Sequence, residues 1–464
     1  MPVALVILFL YIAALFVISW FAKKLSEGKN ENYALAGRKL STPLIAVTII
    51  GLAVGGASTV GVSESAFRVG LSAGWYTIAW GVGAIFMGIF MAKKYREQNI
   101  TTITELVERH HTNGAVILGV FIQIVIQMVI ISLQYIAGGS ILHAILPDIF
   151  DMRTGMIVSA VVFIGITFMG GMWSASLCNV LNIVLIYLGT VIATGLEFSK
   201  IHSLDALAAA LPEGVPWFSF IDGVGSVTIV SWLVTFISVN LALQAILQIS
   251  LGAKDAKTAK NGFIWGGLIM LPVGVLAAFL GIVAKATMPE ATATSALPQV
   301  IIGLQPLLAG ITLAAMWAAD VSTACNLLLS AGTLFSSDIY KRFINPSCSD
   351  AKQLSMTRLC VIISGVLTFG LAMLVSSILG ALMVGLALTA AFSVLIIVAL
   401  FFPKYTCKAA GFWTLLTGFL AVLAWQLLPQ VRIVPNVIYL EWIVCVVTYV
   451  VVALIAPGKK EVAA

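Results

Sequence analysis

Thirteen apolar segments of about 20 residues dominate this chain of 464 residues, and only short polar stretches separate them. A helix of that length crosses the hydrocarbon core of a bilayer, whereas irregular chain there would leave its backbone polar groups without partners. Only 9% of the residues are charged, against about a quarter in a soluble protein. We therefore predict an all-α polytopic membrane protein of about 13 transmembrane helices, called spans 0 to 12: 3–22, 43–67, 74–93, 114–145, 154–172, 175–197, 226–250, 262–287, 301–335, 354–376, 378–401, 409–428 and 436–456.

Lysine and arginine are distributed unequally between the two sets of loops. With the N-terminus outside, the inner loops and the C-terminal tail hold 20 of the 25 basic residues and the outer segments hold 5. Because basic loops stay in the cytoplasm, this asymmetry predicts an outside N-terminus and a cytoplasmic C-terminus in the plasma or inner membrane. The net charge of +6 then belongs to inner loops that face the lipid surface, and we expect no nucleic-acid partner.

The longest loop, about 198–225, divides the middle of the chain into two groups of five spans. Two such groups related by inversion are a recurrent transporter design. We predict one transporter domain over 1–464, with a first five-helix repeat at 43–197 and a second at 226–401. One extra span precedes the repeats and two follow them.

Span 1 contains an unusual concentration of small and polar residues, IGLAVGGASTVG at 50–61. Four glycines and two hydroxyls weaken the helix, since glycine costs up to about 1 kcal/mol relative to alanine at an interior position. Membrane helices tolerate a break where the freed backbone lines a cavity or is buried in protein. We predict a break at Gly55-Gly56; close packing against a neighbouring helix is the alternative.

Span 8 places three oxygen-bearing groups on one face, because Ala319, Ser322 and Thr323 are spaced i, i+3, i+4. The Ala319 carbonyl and the two hydroxyls suit a hard cation. Two free carbonyls from a broken span 1 would complete five neutral oxygens, which suffice for Na⁺. The alternative is that both hydroxyls bond back to carbonyls one turn earlier.

The stretch 318–343, AADVSTACNLLLSAGTLFSSDIYKRF, resembles the signature of the sodium:solute symporter family. Segments 32–38 (NYALAGR), 55–76 (GGASTVGVSESAFRVGLSAGWY) and 244–254 (QAILQISLGAK) resemble other parts of that family, in the same order. The resemblance implies a LeuT-like fold with a 5+5 inverted-repeat core. It also implies sodium-coupled symport of a small organic solute into the cell by alternating access, with Na⁺ as coupling ion, no organic cofactor and a monomer as functional unit.

Transferred from the family, the main sodium site falls on the carbonyls of Gly51, Val54 and Ala319 and the hydroxyls of Ser322 and Thr323. The family often has a helix 5 aspartate that belongs to a second cation site. Here that segment reads CNVLN at 178–182, and Cys325 and Asn326 replace the corresponding span 8 hydroxyls. We therefore expect one sodium ion per cycle.

Asp320 is a carboxylate inside a membrane span, which is by default a functional residue. It lies about 160° around the helix from Ser322 and about 60° from Thr323. Three interpretations stay open: contact with a cationic solute group or a proton, added charge near the ion, or a structural carboxylate capped by neighbouring donors. Glu64, near the outer end of span 1, is interpreted as a solvated vestibule residue.

The solute is expected at the midplane beside the break. The candidate binding residues are Ser58, Thr59, Trp75, Gln134, Asn240, Gln244 and Asp320, each of which has packing or interhelical hydrogen bonding as its alternative. Rival functions are a proton-coupled carrier that uses Asp320 and a solute sensor that does not transport. We predict no enzyme, because the sequence has no phosphate-binding loop with its lysine and no metal-ligand spacing.

Overall fold

The computed structural model describes residues 2–201, 203–293, 300–301, 303, 305–374 and 378–456. Among these residues all extended regular structure is helical, and the only β-type contact is an isolated bridge between Leu40 and Ala253. Ten of the described helices are long and apolar enough to cross a membrane, and two bent helix pairs raise the count to twelve. The all-α membrane fold is thus confirmed. The count of thirteen spans and the repeat boundaries 43–197 and 226–401 stay predictions.

Most predicted spans coincide with one helix or with a pair of consecutive helices. Spans 4 and 5 form one element of 50 residues, interrupted by non-helical backbone at Gly171 (φ 53°, ψ −131°). Span 8 continues beyond its α-helix in a wider helix, Phe335–Ile344. In chain order the helices that correspond to the predicted spans are Pro2–Ser26, Thr42–Ala53 with Val62–Val69, Trp75–Phe86 with Ala92–Gln98, Asn113–Ile145, Met152–Ile201, Ser226–Ala242 with Gln244–Gly252, Ala256–Thr287, Pro306–Leu334, Asp350–Ala372, Ile378–Ala387 with Thr389–Phe401, Ala410–Leu427 and Val437–Ile455.

Among the described residues, two spans bend by more than 40° at a short break, and they are the first spans of the two predicted repeats. In span 1 the two halves meet at 62°, so the break predicted from the glycines is confirmed. In span 6 the halves meet at 54° around Leu243, which has extended backbone (φ −80°, ψ 125°). The sequence analysis missed this second break because no glycine or proline marks it; only the flanking polar residues Asn240 and Gln244 indicate it.

Span 8 forms the centre of the protein. Every side chain from Thr312 to Leu334 is buried, including the carboxylate of Asp320. Spans 0 and 12, in contrast, expose large apolar side chains such as Phe9 (68%) and Leu454 (76%). Apolar surface of this kind suits lipid. The polar groups of span 8, in contrast, are enclosed by protein.

Candidate functional site

The span 1 break frees backbone groups that a continuous helix would pair internally. Side chains bind several of them: the Ser58 hydroxyl donates to the Ala53 carbonyl at 2.7 Å, and the Gly56 amide donates to Gln134 Oε1 at 3.0 Å. The Thr59 hydroxyl donates to the Gly55 carbonyl at 3.2 Å. Three of the predicted solute residues therefore lie at the break, where they satisfy its backbone in this structure.

Span 8 contacts the break through Thr323. Its hydroxyl lies 3.1 Å from the carbonyl oxygens of both Gly51 and Leu52, in the last turn before the break. Val54 follows with φ −93° and ψ 76°, which turns its carbonyl out of the helical direction. The structure thus brings Thr323 and Gly51 together as predicted, and it adds the Leu52 carbonyl, which the sequence analysis missed.

Ser322 forms the back-bond that was the alternative to ion binding. Its hydroxyl donates to the Ala319 carbonyl at 2.7 Å. This bond places the Ser322 oxygen and the Ala319 carbonyl close enough together for one small cation to contact both. The face of span 8 next to the break therefore offers neutral oxygens, the ligand type that a hard monovalent cation prefers.

Asn179 lies directly against Gly51. A Cβ on Gly51 would be 2.3 Å from Asn179 Nδ2, so only glycine permits this contact. Tyr11 from span 0 donates to Asn182 Oδ1 at 2.7 Å, and Asn182 Nδ2 donates to Asn179 Oδ1 at 3.2 Å. Asn179 Nδ2 has no partner among the described residues. This chain of hydrogen bonds directs the Asn179 amide N–H towards Gly51. An N–H donor does not ligate a cation.

Asp320 faces Gly56, the second glycine of the pair at the break. Its carboxylate is fully buried, and neither oxygen has a hydrogen-bond partner in the described part of the chain. A Cβ on Gly56 would lie 2.5 Å from Asp320 Oδ1 and 2.6 Å from Ala137 Cβ. Glu64, in contrast, pairs with Arg68 at 2.9 Å in a partly exposed position.

The remaining solute candidates occupy different regions. Asn240 lies between spans 2 and 6, where its Oδ1 has no described partner. Trp75 donates its indole N–H to the Phe220 carbonyl at 2.7 Å, in the loop that joins spans 5 and 6. Trp75 therefore belongs to the loop-facing end of span 2 rather than to the break.

Gln244 lies at the break in span 6, and its side chain binds the loop between spans 2 and 3. Its Oε1 accepts from the Ile103 amide at 2.7 Å, and its Nε2 donates to the Thr101 carbonyl at 3.2 Å. Gln123, which the sequence analysis missed, binds both sides of the same break through the Ala242 carbonyl (2.7 Å) and the Gln244 amide (3.1 Å). The Gln244 side chain is thus engaged by the loop between spans 2 and 3, not directed to the span 1 break.

The same loop holds the end of span 8. Asp338 accepts hydrogen bonds from Thr102 at 2.9 Å and Thr104 at 2.7 Å, and Arg342 pairs with Glu108. The helix Ile103–His110 begins at Thr102, whose hydroxyl accepts from the Glu105 amide. Burial raises the pKa of the Glu105 carboxyl. Residues 101–108 with Gln244 and Asp338, called the clamp, therefore join spans 6 and 8 at the face with the lysine- and arginine-rich loops.

Gln244→Met is expected to raise the leak of radioactive sodium from solute-free proteoliposomes by about five- to thirtyfold. The substitution keeps the side-chain length but removes two hydrogen bonds, so the clamped arrangement loses about 1–2 kcal/mol relative to an open one. Gln127→Met is the matched control, because Gln127 is buried in span 3 and its amide nitrogen bonds only within its own helix. Equal leaks in the wild type and both variants would contradict a closing role for the clamp.

The sequence matches a known protein family. The model of the sodium:solute symporter family matches residues 33–418. The chain is similar to a sodium/glucose cotransporter of Vibrio parahaemolyticus, with 26% identity over 74% of this chain and 69% of the relative. It is also similar to a high-affinity choline transporter of Caenorhabditis elegans (23%; 81% and 69%) and a sodium/proline symporter of Staphylococcus aureus (22%; 89% and 84%).

Two solved structures share the fold. A Na⁺-coupled sialic acid symporter in a substrate-bound outward-open state matches with a TM-score of 0.82 and 17% identity, over 100% of this chain and 99% of that one. A nucleobase-cation-symport-1 family transporter in a closed conformation matches with a TM-score of 0.66 and 14% identity, over 92% and 96%. At these identities the likeness concerns the fold.

Proposed function

The chain belongs to the sodium:solute symporter family, a family of membrane transporters and not of enzymes, and we propose that its sodium ion binds between spans 1 and 8. The protein is a sodium-coupled symporter of a solute. In our proposal the ligands are the carbonyls of Gly51, Val54 and Ala319 and the hydroxyls of Ser322 and Thr323. The observation that carries the proposal is the Thr323 hydroxyl, which lies 3.1 Å from the Gly51 carbonyl across two spans.

The site suits one ion per cycle. Its proposed ligands are neutral oxygens, and a monovalent cation can exchange its water for such ligands without a fixed countercharge. Beside Gly51, the Asn179 amide replaces the carboxylate that a second cation would need, and its nitrogen faces Gly51. We therefore propose a stoichiometry of one sodium ion.

Coupling follows from the location of the ion at the break. An ion that ligates both spans favours the arrangement in which span 1 and span 8 are close, and a solute beside Gly55-Gly56 would bind to that arrangement. By linkage, each ligand then tightens the binding of the other by the same factor. We propose alternating access in which the clamp lies on the cytoplasmic face, with the N-terminus outside and a monomer as the transporting unit.

The second candidate driver is a proton carried by Asp320. The observation that favours it is that both carboxylate oxygens of this buried residue lack partners in the described structure. A carboxyl in such a site is costly to ionise, so a proton can occupy it.

Uptake into proteoliposomes under imposed gradients tests the driver. With radioactive proline, glucose and choline as probes, an inward sodium gradient should drive accumulation of at least one, and adding a pH gradient should not change it. Replacing sodium by potassium on both sides should abolish accumulation. Accumulation that persists in potassium under a pH gradient would refute sodium coupling and favour the proton.

A further inference from the structure

Asp320 is the charged group for which the proposed sodium site provides no role. Its side chain is 0% exposed, and its oxygens form no hydrogen bond with Ser322 or Thr323. None of the ion pairs found among the described residues includes it. The Gly56 amide donates to Gln134 Oε1 at 3.0 Å and also lies close to the Asp320 carboxylate.

An ionised carboxylate in this position is expensive to bury. The penalty in proteins is several kcal/mol when no partner compensates it. Acidic residues inside membrane proteins therefore face a countercharge, a proton or a ligand path. No described lysine, arginine or histidine pairs with Asp320, so the carboxylate is available to a cation that arrives during the transport cycle.

The position of the carboxylate indicates where that partner binds. Thr323 faces the carbonyls of Gly51 and Leu52, before the break, whereas Asp320 Oδ1 faces Gly56, within it. The two side chains thus face successive residues of the glycine pair, because a Cβ on Gly55 would lie 2.5 Å from Thr323 Oγ1 and a Cβ on Gly56 would lie 2.5 Å from Asp320 Oδ1. Spans 1, 3 and 8 meet at Gly56, whose lack of a Cβ lets the carboxylate lie directly against the backbone of the break.

We propose that the transported solute carries a cationic nitrogen and that Asp320 is its countercharge beside Gly56. This inference rests on the proposed sodium-coupled transport and specifies its substrate class. Sodium then occupies the neutral oxygens of span 8, and the organic cation occupies the single buried carboxylate. One cycle moves two positive charges with one fixed negative charge to receive the solute.

Span 2 places aromatic rings within one helical turn of its contact with the break. The Thr77 hydroxyl donates to the Ser58 carbonyl at 3.4 Å, so span 2 contacts the chain just after the glycine pair. One turn further, Trp80 packs against Phe236 of span 6 with ring centroids 4.6 Å apart. Aromatic faces attract cations, most strongly when both are shielded from water.

Thermal stability of the purified protein in sodium buffer provides the test. The cationic probes are ethanolamine, choline and agmatine; the neutral ones are ethylene glycol, glucose and dimethylbutanol, the carbon isostere of choline. At least one cationic probe should stabilise the wild type while its neutral counterpart does not. Asp320→Asn should weaken that binding by about thirtyfold or more, because truncating one partner of a buried charge pair costs at least about 2 kcal/mol.

Glu441→Gln is the matched control, since Glu441 is equally buried but lies in span 12 beside Cys445, outside the site. It should leave the affinity for the cationic probe unchanged. Sodium titrations without solute report whether Asp320→Asn still folds and binds the ion.

Three results would overturn the inference: stabilisation by neutral probes alone, no stabilisation by any cationic probe, or equal cation affinity in the wild type and Asp320→Asn. Loss of a pH dependence of transport in Asp320→Asn, with solute affinity intact, would also overturn it in favour of proton carriage. Failure of the underlying transport proposal has a different signature, namely that sodium stabilises neither the wild type nor the variant.

Discussion

Thr323→Val is expected to weaken sodium binding by about ten- to a hundredfold while the protein folds normally. Valine keeps the branched shape of threonine, so the substitution removes one hydroxyl oxygen and little volume. That oxygen lies 3.1 Å from two carbonyls of span 1 and is the direct link between the break and span 8. Hydrogen bonds and contacts to charged groups contribute about 1.5–3 kcal/mol, which corresponds to this loss of affinity.

The measurement is a sodium titration of thermal stability in purified protein, with potassium as the reference ion. Thr323→Ser, which keeps the hydroxyl, should bind sodium nearly as the wild type does. Thr368→Val is the matched control, because Thr368 is fully buried in span 9 and its hydroxyl bonds only to the Ser364 carbonyl of its own helix. In transport, the loss should appear as a higher sodium requirement that saturating sodium largely corrects. An unchanged sodium affinity in Thr323→Val would remove Thr323 from the site.

The apolar periodicity and two local patterns predicted much of this architecture. Glycine at Gly55 and Gly56 weakens a helix wherever it occurs, so the bend in span 1 was predictable from composition. The spacing of Ser322 and Thr323 likewise follows from helical geometry alone. Both are short-range properties, which a sequence expresses without knowledge of the tertiary structure.

The features that were missed depend on contacts between distant segments. The bend at Leu243 has no helix-breaking residue; Gln123, from another span, binds the Ala242 carbonyl and the Gln244 amide there. Gln244 was expected beside the solute, but its partners lie in the loop after span 2. Propensity cannot reveal such pairings, because a buried amide in a membrane helix can bond to any neighbouring helix.

The roles of the polar residues at the break were also only partly predictable from the sequence. Gln134 and Ser58 are near the glycine pair as predicted, yet both bind backbone groups that the break itself frees. A solute that binds there must either replace these bonds or add to them. Asp320 differs, because its oxygens have no hydrogen-bond partner among the described residues. Only the structure shows this difference, which makes Asp320 the stronger candidate for contact with the solute.

Gly56→Ala is expected to reduce solute transport at least tenfold. The added methyl would lie 2.5 Å from Asp320 Oδ1 and 2.6 Å from Ala137 Cβ, both closer than van der Waals contact allows. Overpacking of this kind costs about 1–3 kcal/mol, and here the strain falls on the three spans that meet at the break. Gly370→Ala is the matched control, because a Cβ on Gly370 in span 9 meets no atom within 4 Å.

The double variant Gly56→Ala/Ala137→Gly separates two causes of the loss. Ala137→Gly removes the contact with span 3 but leaves the methyl against the Asp320 carboxylate. If strain between spans 1 and 3 limits the cycle, the double variant should recover most of the uptake rate. If the methyl occupies the space of the solute nitrogen, the folded double variant should stay inactive and still bind sodium with normal affinity. Wild-type uptake by Gly56→Ala itself would show that transport does not require the close approach of Gly56 to the Asp320 carboxylate and to Ala137.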